Sequence, residues 1–281
     1  MSAFVALTLL ACEAASASPR LVAIGDLHGD LGTALQVLQL AGVVDATGRW
    51  IGGDTVLVQT GDLTDRGPDT RAVLDLMMRL EKEAPAAGGQ VVILLGNHEA
   101  MNILGDWRYV HPDDLVSFEG SERRATAFSP AGTYGSWLVA HDAVAVVHGV
   151  AFAHGGITPE WAKVGLGAIN EEVHKGLVHA ATSAIGPEGP LWVRTLAQDP
   201  ESEACPQVEA SLRLLGATRM VVGHTTQRTG EIQVRCGGRL SVIDTGISTA
   251  YGGNLAAWEL TDGNARALYA SGARDIEDPQ P

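Results

Sequence analysis

Four short segments constrain this chain more than any other feature: Gly25-Asp26-Leu27-His28-Gly29-Asp30, Gly61-Asp62-Leu63-Thr64-Asp65-Arg66-Gly67, Gly96-Asn97-His98-Glu99 and His154-Gly155-Gly156. Each follows a run of buried-strand composition, and each sets Asp, His or Asn beside glycine. Packing alone does not call for that. Strand ends that all present such side chains read as the pieces of one two-metal site. Carboxylate, imidazole and amide oxygen together suit a divalent ion such as Mn, Fe or Zn. No cysteine falls in the four segments, which argues against a structural zinc finger. Two ions about 3.5–4 Å apart clamp the attacking and leaving oxygens of a phosphoryl displacement and acidify the water between them. Such a pair needs one carboxylate to bridge it.

The surrounding pattern is that of a layered α/β fold. Arg20 to Ile24, Val56 to Thr60 and Val91 to Leu95 have strand length and β-branched content. Between them, Leu31, Leu35, Val37, Leu38 and Leu40 form a helical apolar face that stops at Gly42, and Pro68 opens a second helix that ends at Pro85. Ligands in such sheets collect beyond the carboxyl ends of strands, where Asp26, Asp62 and Asn97 fall. Residues 101–134 read as irregular, bordering the site. Val144 to Val147 and Val150 to Ala153 read as a hairpin around His148-Gly149, and 158–182 as mostly helical. Cys205-Pro206 leads into a helix ending at Gly216, and short strands follow at 219–222, 231–234, 240–243, 254–260 and 265–270.

In an extended segment alternate side chains share a face, so Asp26 and His28 can grip one ion together. Asp62 is the candidate bridge. Three residues on, Asp65 and Arg66 add an acid and a cation whose fork holds two phosphate oxygens at once. Asn97 offers a neutral oxygen to the second ion. His98 beside it diverges and is suited to protonate a leaving oxygen, with Asp65 orienting it and favouring its charged form. Glu99 reads as a helix N-terminal charge or a supporting partner. His154 and His224, each ending a buried run, complete the second ion's shell. His111, His141, His148, His174 and His179 fall in loops, a turn or a helix and read as structural.

The ordered motifs resemble those of the metallophosphoesterases, and specifically the phosphoprotein phosphatase family, from residue 25 to about 253. The resemblance implies a four-layer calcineurin-like fold, a central two-sheet mixed β-sandwich flanked by helices. It implies Asp26, His28 and Asp62 on one metal, and Asp62, Asn97, His154 and His224 on the other. His98 is then the general acid supported by Asp65, with Arg66 on the phosphate. Eukaryotic serine/threonine members carry arginine where this chain has Leu95. Met101-Asn102, Pro190-Leu191-Trp192-Val193-Arg194, Gly223-His224-Thr225 and Asp244-Thr245-Gly246 through Tyr251-Gly252-Gly253 are instead similar to the Shewanella-like bacterial branch. That branch implies a phosphotyrosine-directed phosphatase using two divalent ions, Mn and/or Fe with Zn as an option. The reaction it implies is direct attack of a metal-bridging hydroxide on a phosphate monoester. Arg194 is the candidate second phosphate-binding arginine, and Tyr251 a candidate lining residue. The rival on the same metal pair is a hydrolase of dinucleoside polyphosphates or of small phosphomonoesters. A ligand-capturing module or a purely structural metal domain are rivals of another class.

Acidic residues exceed basic ones by 33 to 19, a net charge of −14. That offers no broad cationic surface for a nucleic-acid backbone. The expected partners are a phosphoprotein or small phosphate ester, and the expected state a monomer. Residues 1–18 read as a secretory or lipoprotein signal. Phe4 to Ala11 are apolar, Ala14 to Ser18 small, and Leu9-Leu10-Ala11-Cys12 resembles a lipobox that would anchor lipid at Cys12. No Lys or Arg precedes Arg20. The expected location is periplasmic or envelope-anchored, or cytoplasmic if this segment is not a signal. One catalytic domain is expected over 19–272, then a loose acidic tail over 273–281. In an oxidising compartment Cys205 and Cys236 are free to pair. They would close a loop of about 30 residues worth roughly 3 kcal/mol; the other reading is two buried thiols.

Overall fold

Mostly apolar runs of three to six residues supply strands, and longer amphipathic stretches cover them. The structure is a computed structural model and describes residues 19–179 and 182–279. The export signal read over 1–18, Cys12 included, lies outside the described residues.

In chain order the strands are β1 (Leu21–Ile24), β2 (Val56–Gln59), β3 (Gln90–Ile93), β4 (Val144–Val147), β5 (Val150–Ala153) and β6 (Arg219–Val222). They continue with β7 (Gln233–Arg235), β8 (Leu240–Val242), β9 (Ala256–Thr261), β10 (Asn264–Tyr269) and β11 (Gly272–Asp275). The helices are α1 (Leu31–Leu40), α2 (Thr70–Ala86), α3 (Asn97–Ile103), α4 (Pro112–Ser117) and α5 (Ser121–Phe128). After them come α6 (Thr133–Val139), α7 (Pro159–Val164), α8 (Leu166–His179), α9 (Thr195–Gln198) and α10 (Glu201–Leu215).

Two mixed sheets result. One has the order β11-β10-β9-β1-β2-β3, the other β4-β5-β6-β8-β7. Within them β1, β2 and β3 run parallel, as do β5, β6 and β8, while the flanking strands are antiparallel. Side-chain alternation divides β1 between two cores. Leu21 and Ala23 join Val58, Phe152, Val221 and Trp258 between the sheets, whereas Val22 and Ile24 belong with Val37, Leu38, Leu74 and Met77 from α1 and α2. Phe152 and Trp258 meet edge to face across the sandwich, centroids 6.2 Å apart. Each such buried side chain stabilises the fold by about 1.5–3 kcal/mol. Helices α8 and α10 pack on β4 and β6, closing the fourth layer. This is the mixed two-sheet sandwich expected above.

Three expectations need correction. The stretch 101–134 is not irregular but largely helical, forming the end of α3, then α4, α5 and the start of α6. These helices have six to eight residues, too short for apolar periodicity to stand out. Residues 273–276 of the tail are not loose, because β11 pairs with β10 and Ile276 is buried. The helix read from Cys205 begins earlier, at Glu201, with Pro206 inside it. The hairpin at 144–153 turns on His148 and Gly149, both at positive φ (48° and 76°), as a tight two-residue turn demands.

Candidate active site

The parallel strands end along one edge of the sandwich, and the loops that leave them carry the chemistry. Asp26 and His28 follow β1, Asp62 follows β2, and Asn97 and His98 follow β3. His154, His224 and Asp244 follow β5, β6 and β8. Glu99 ties these loops together. Fully buried, it accepts hydrogen bonds from the backbone N–H of Asp62 (2.8 Å), Leu63 (2.9 Å), Thr64 (3.1 Å) and Gly96 (2.8 Å), and from the Thr64 hydroxyl (3.1 Å). Its oxygens are fully used, so it supports the site instead of ligating in it. The Asp62 Oδ1 in turn accepts from the His98 N–H at 2.9 Å. These contacts hold Asp62 at φ 59°, and His28, Asp65, Arg66 and His224 also sit at positive φ, between 43° and 70°. Each such non-glycine residue costs on the order of 1–3 kcal/mol, a pattern that clusters at functional sites.

Two rings present the same nitrogen. His28 Nδ1 lies 3.1 Å from the Thr64 carbonyl and His154 Nδ1 2.9 Å from the Thr60 carbonyl. Both therefore donate from Nδ1 and turn Nε2 toward Asp62 Oδ2, at 3.7 and 3.2 Å. His224 is reversed. Its Nε2 donates to the Trp192 carbonyl at 3.0 Å, leaving Nδ1 as the lone-pair nitrogen. Such backbone partners fix tautomer and ring orientation in metal sites. His154 Nε2 is also 2.9 Å from Asn97 Oδ1, and His28 Nε2 is 3.9 Å from Asp26 Oδ2.

Two ligand groups, His28–Asp62–His98 and Asp62–His154–His224, each have their donor atoms within 4.8 Å of one another, and they share Asp62. The electrostatics fit cations at this place. Burial, then Asp244 and Asp62, push the Asp26 carboxyl well above its usual range, and burial likewise raises Asp244 and Glu99. Burial also works against ionising Asp62, but the imidazoles of His154, His98 and His28 override it and hold Asp62 well below the usual range. Burial lowers His28 to about 4 and, with His154 and Arg194 adding to it, lowers His224 to about 2. Both rings are thus neutral near pH 7, the form that binds metal. A crowd of buried carboxylates facing neutral imidazoles is relieved by divalent cations.

His98 differs. Its Nδ1 is 2.6 Å from Asp65 Oδ2, and although burial opposes its charge, Asp62 and Asp65 raise its pKa above the ordinary imidazole value. The mouth of the site is a cavity of about 180 Å³ lined by Asp26, His28, Asp62, Asn97, His98 and His224 on its floor. Arg66, Arg194, Tyr109, Tyr251, Trp192 and Thr226 form its walls. The Arg66 guanidinium lies 3.8 Å over the Tyr109 ring and 5.9 Å from that of Tyr251. Its Nε has no hydrogen-bond partner among the described residues. Arg194 bonds the His224 carbonyl and the Thr225 hydroxyl.

Every candidate named from the motifs therefore meets here, with His154 fully buried beneath the floor and Asp65 behind His98. The disulfide Cys205–Cys236 joins α10 to the turn after β7, outside the cavity. Asp244, Trp192 and Thr226 carry no role in the sequence reading, and Tyr109 falls within the stretch 101–134 that reads as bordering the site. Asp244 has a usable signal, since it follows a buried strand as Asp26 and Asp62 do; Tyr109 has none of its own. Gly96 explains one glycine of the motif. A Cβ there would fall on the Asp62 carboxylate and amide. Gly96→Ala is expected to destabilise the protein by about 1–3 kcal/mol and to lower its metal content, as read by denaturant titration and elemental analysis.

The calcineurin-like phosphoesterase family matches residues 19–227. An uncharacterised protein of Schizosaccharomyces pombe is 41% identical over 267 residues, covering 88% of this chain and 80% of its own. Shewanella-like protein phosphatase 2 of Arabidopsis thaliana is 34% identical over 280 residues, covering 82% of this chain and 71% of its own. Among solved structures, a cold-active protein-tyrosine phosphatase of a psychrophilic Shewanella superposes with a TM-score of 0.82 at 26% identity, covering 92% of this chain and 80% of that one. With a strand-end site of buried carboxylates and neutral imidazoles, the chain belongs to the calcineurin-like phosphoesterases, and among them to the Shewanella-like protein phosphatases, as a metal-dependent phosphatase.

Proposed function

We propose that this chain is a dinuclear-metal phosphoprotein phosphatase that hydrolyses phosphate monoesters directly, with phosphotyrosine favoured over phosphoserine and phosphothreonine. The observation that carries the two-ion reading is the sharing of Asp62 by two buried donor groups at the cavity that Arg66 also lines. Asp26, His28 and Asp62 would hold one ion; Asp62, Asn97, His154 and His224 would hold the other. When bound, such a pair, Mn and/or Fe in this reading, would supply Lewis acidity and a water acidified for attack. Arg66 and Arg194, both lining the cavity, would stabilise the equatorial phosphoryl oxygens. His98, cationic beside Asp65, delivers a proton to the departing oxygen.

Support for phosphotyrosine comes from the walls. Tyr109, Tyr251 and Trp192 offer ring faces and edges to an aromatic leaving group, and offset ring pairs add about 0.5–1.5 kcal/mol each beyond area burial. The Shewanella structure is that of a tyrosine phosphatase. Phosphate release by the manganese-loaded protein is expected to be at least about tenfold faster, in kcat/KM, on a phosphotyrosine peptide than on its phosphothreonine twin, the factor that 1.4 kcal/mol provides. Equal rates on the two peptides would remove the preference. Faster turnover of diadenosine tetraphosphate than of either would move the reading to anhydride hydrolysis.

A further inference from the structure

Arg124 is the charge least expected from the sequence. Ser121-Glu122-Arg123-Arg124 opens α5 within the stretch that reads as irregular, yet the Arg124 side chain has no exposed surface. Its Nε donates to Asp114 Oδ2 at 2.9 Å and its Nη1 to Asn102 Oδ1 at 2.7 Å. Nη2 has no hydrogen-bond partner among the described residues and faces Asp65 Oδ1 at 3.8 Å. The Phe128 ring lies 4.4 Å from the guanidinium, with Phe118 and Trp107 each at 5.6 Å.

Asn102 passes the order on. With its oxygen held by Arg124, its Nδ2 donates to Asp65 Oδ1 at 3.0 Å and to the His98 carbonyl at 2.8 Å. The other Asp65 oxygen meets His98 Nδ1 at 2.6 Å. The chain Asp114–Arg124–Asn102–Asp65–His98 is continuous and buried, running from α4 and α5 through α3 to the cavity floor.

A cation buried among rings is a poor way to fasten two short helices, since an apolar side chain of like volume packs there without desolvation. What the guanidinium adds is direction. It has no acceptor, so only the oxygen end of Asn102 can face it. That sets the amide's nitrogen toward Asp65 and the free Asp65 oxygen toward the ring. We propose that Arg124, Asn102 and Asp114 are positioning residues, which hold the Asp65–His98 pair in the orientation that delivers a proton to the leaving group. The inference rests on the reading of His98 as general acid. None of the three lines the cavity, so their effect reaches the reaction through His98.

The test uses esters that differ in their need for a proton. The full chain is stripped of metal, refilled with manganese and assayed on 2,4-dinitrophenyl phosphate, whose leaving group departs unprotonated, and on phenyl phosphate, whose leaving group does not. Arg124→Met and Asn102→Ala are expected to lose about 10–100-fold in kcat/KM on phenyl phosphate and under about 3-fold on the dinitrophenyl ester, a fraction of what general acid catalysis supplies. Equal losses on both esters, or no loss on either, would overturn the proposal. His98→Asn separates the two claims. If its own loss is the same on both esters, the acid reading fails and takes the proposal with it. If His98→Asn discriminates and the other variants do not, only the positioning role fails. Asn102→Ala keeps the Arg124–Asp114 pair, so it carries the test if Arg124→Met does not fold.

Discussion

Asp62→Asn is expected to give a folded protein with almost no turnover and weakened metal retention. Asp62 is the one residue common to both ligand groups, and its Oδ2 is the atom toward which His154, His28 and His98 converge at 3.2, 3.7 and 3.9 Å. Asparagine keeps an oxygen for the His98 N–H, which Asp62 Oδ1 now accepts, so the loop retains its shape. It loses the charge that faces those imidazoles, and half of its amide is a donor that no cation binds. Lewis-acid stabilisation is worth several kcal/mol, so turnover is expected to fall on the order of 10³-fold or more. Elemental analysis beside phosphate release checks this. Two ions per chain with near wild-type rates would rule out the bridging role.

His98→Asn is expected to act on the rate and spare the metal. Turnover is expected to drop by roughly 10²–10⁴-fold, the range for a lost general acid, with the ion content unchanged. His98 Nδ1 is committed to Asp65, and Asp62 and Asp65 favour the charged ring, which has no lone pair for a metal. His98 also shares a donor group with His28 and Asp62, its Nε2 3.9 Å from Asp62 Oδ2. Loss of the ions in this variant would make His98 a ligand and leave the leaving group without its acid.

The candidate ligands were legible because each sits immediately after an apolar strand, where side chains with lone pairs have no packing reason to be. Asp26, Asp62, Asn97, His154 and His224 share that signature, and Glu99 announced itself by its place in the first turn of α3. Asp244 shares it too, at the end of β8. Arg124 was illegible for a different reason. A charged residue in a six- to eight-residue helix reads as solvated, and only the arrival of Asp114, Asn102 and Asp65 from three other segments makes its burial tolerable. Tyr109 belongs to the same region, where local pattern is weakest and tertiary contacts decide. The strand β11 was hidden likewise, since its four residues are exposed and only pairing with β10 identifies them.

The most direct test of a two-ion phosphatase is phosphate release from a phosphotyrosine peptide as metal-stripped protein is refilled with manganese, with bound metal counted at each step. Activity is predicted to rise with occupancy and to level off at about two ions per chain, the number that a two-metal displacement uses. Full activity at one ion, or activity that survives complete stripping, would contradict the shared role of Asp62 and the dinuclear mechanism built on it.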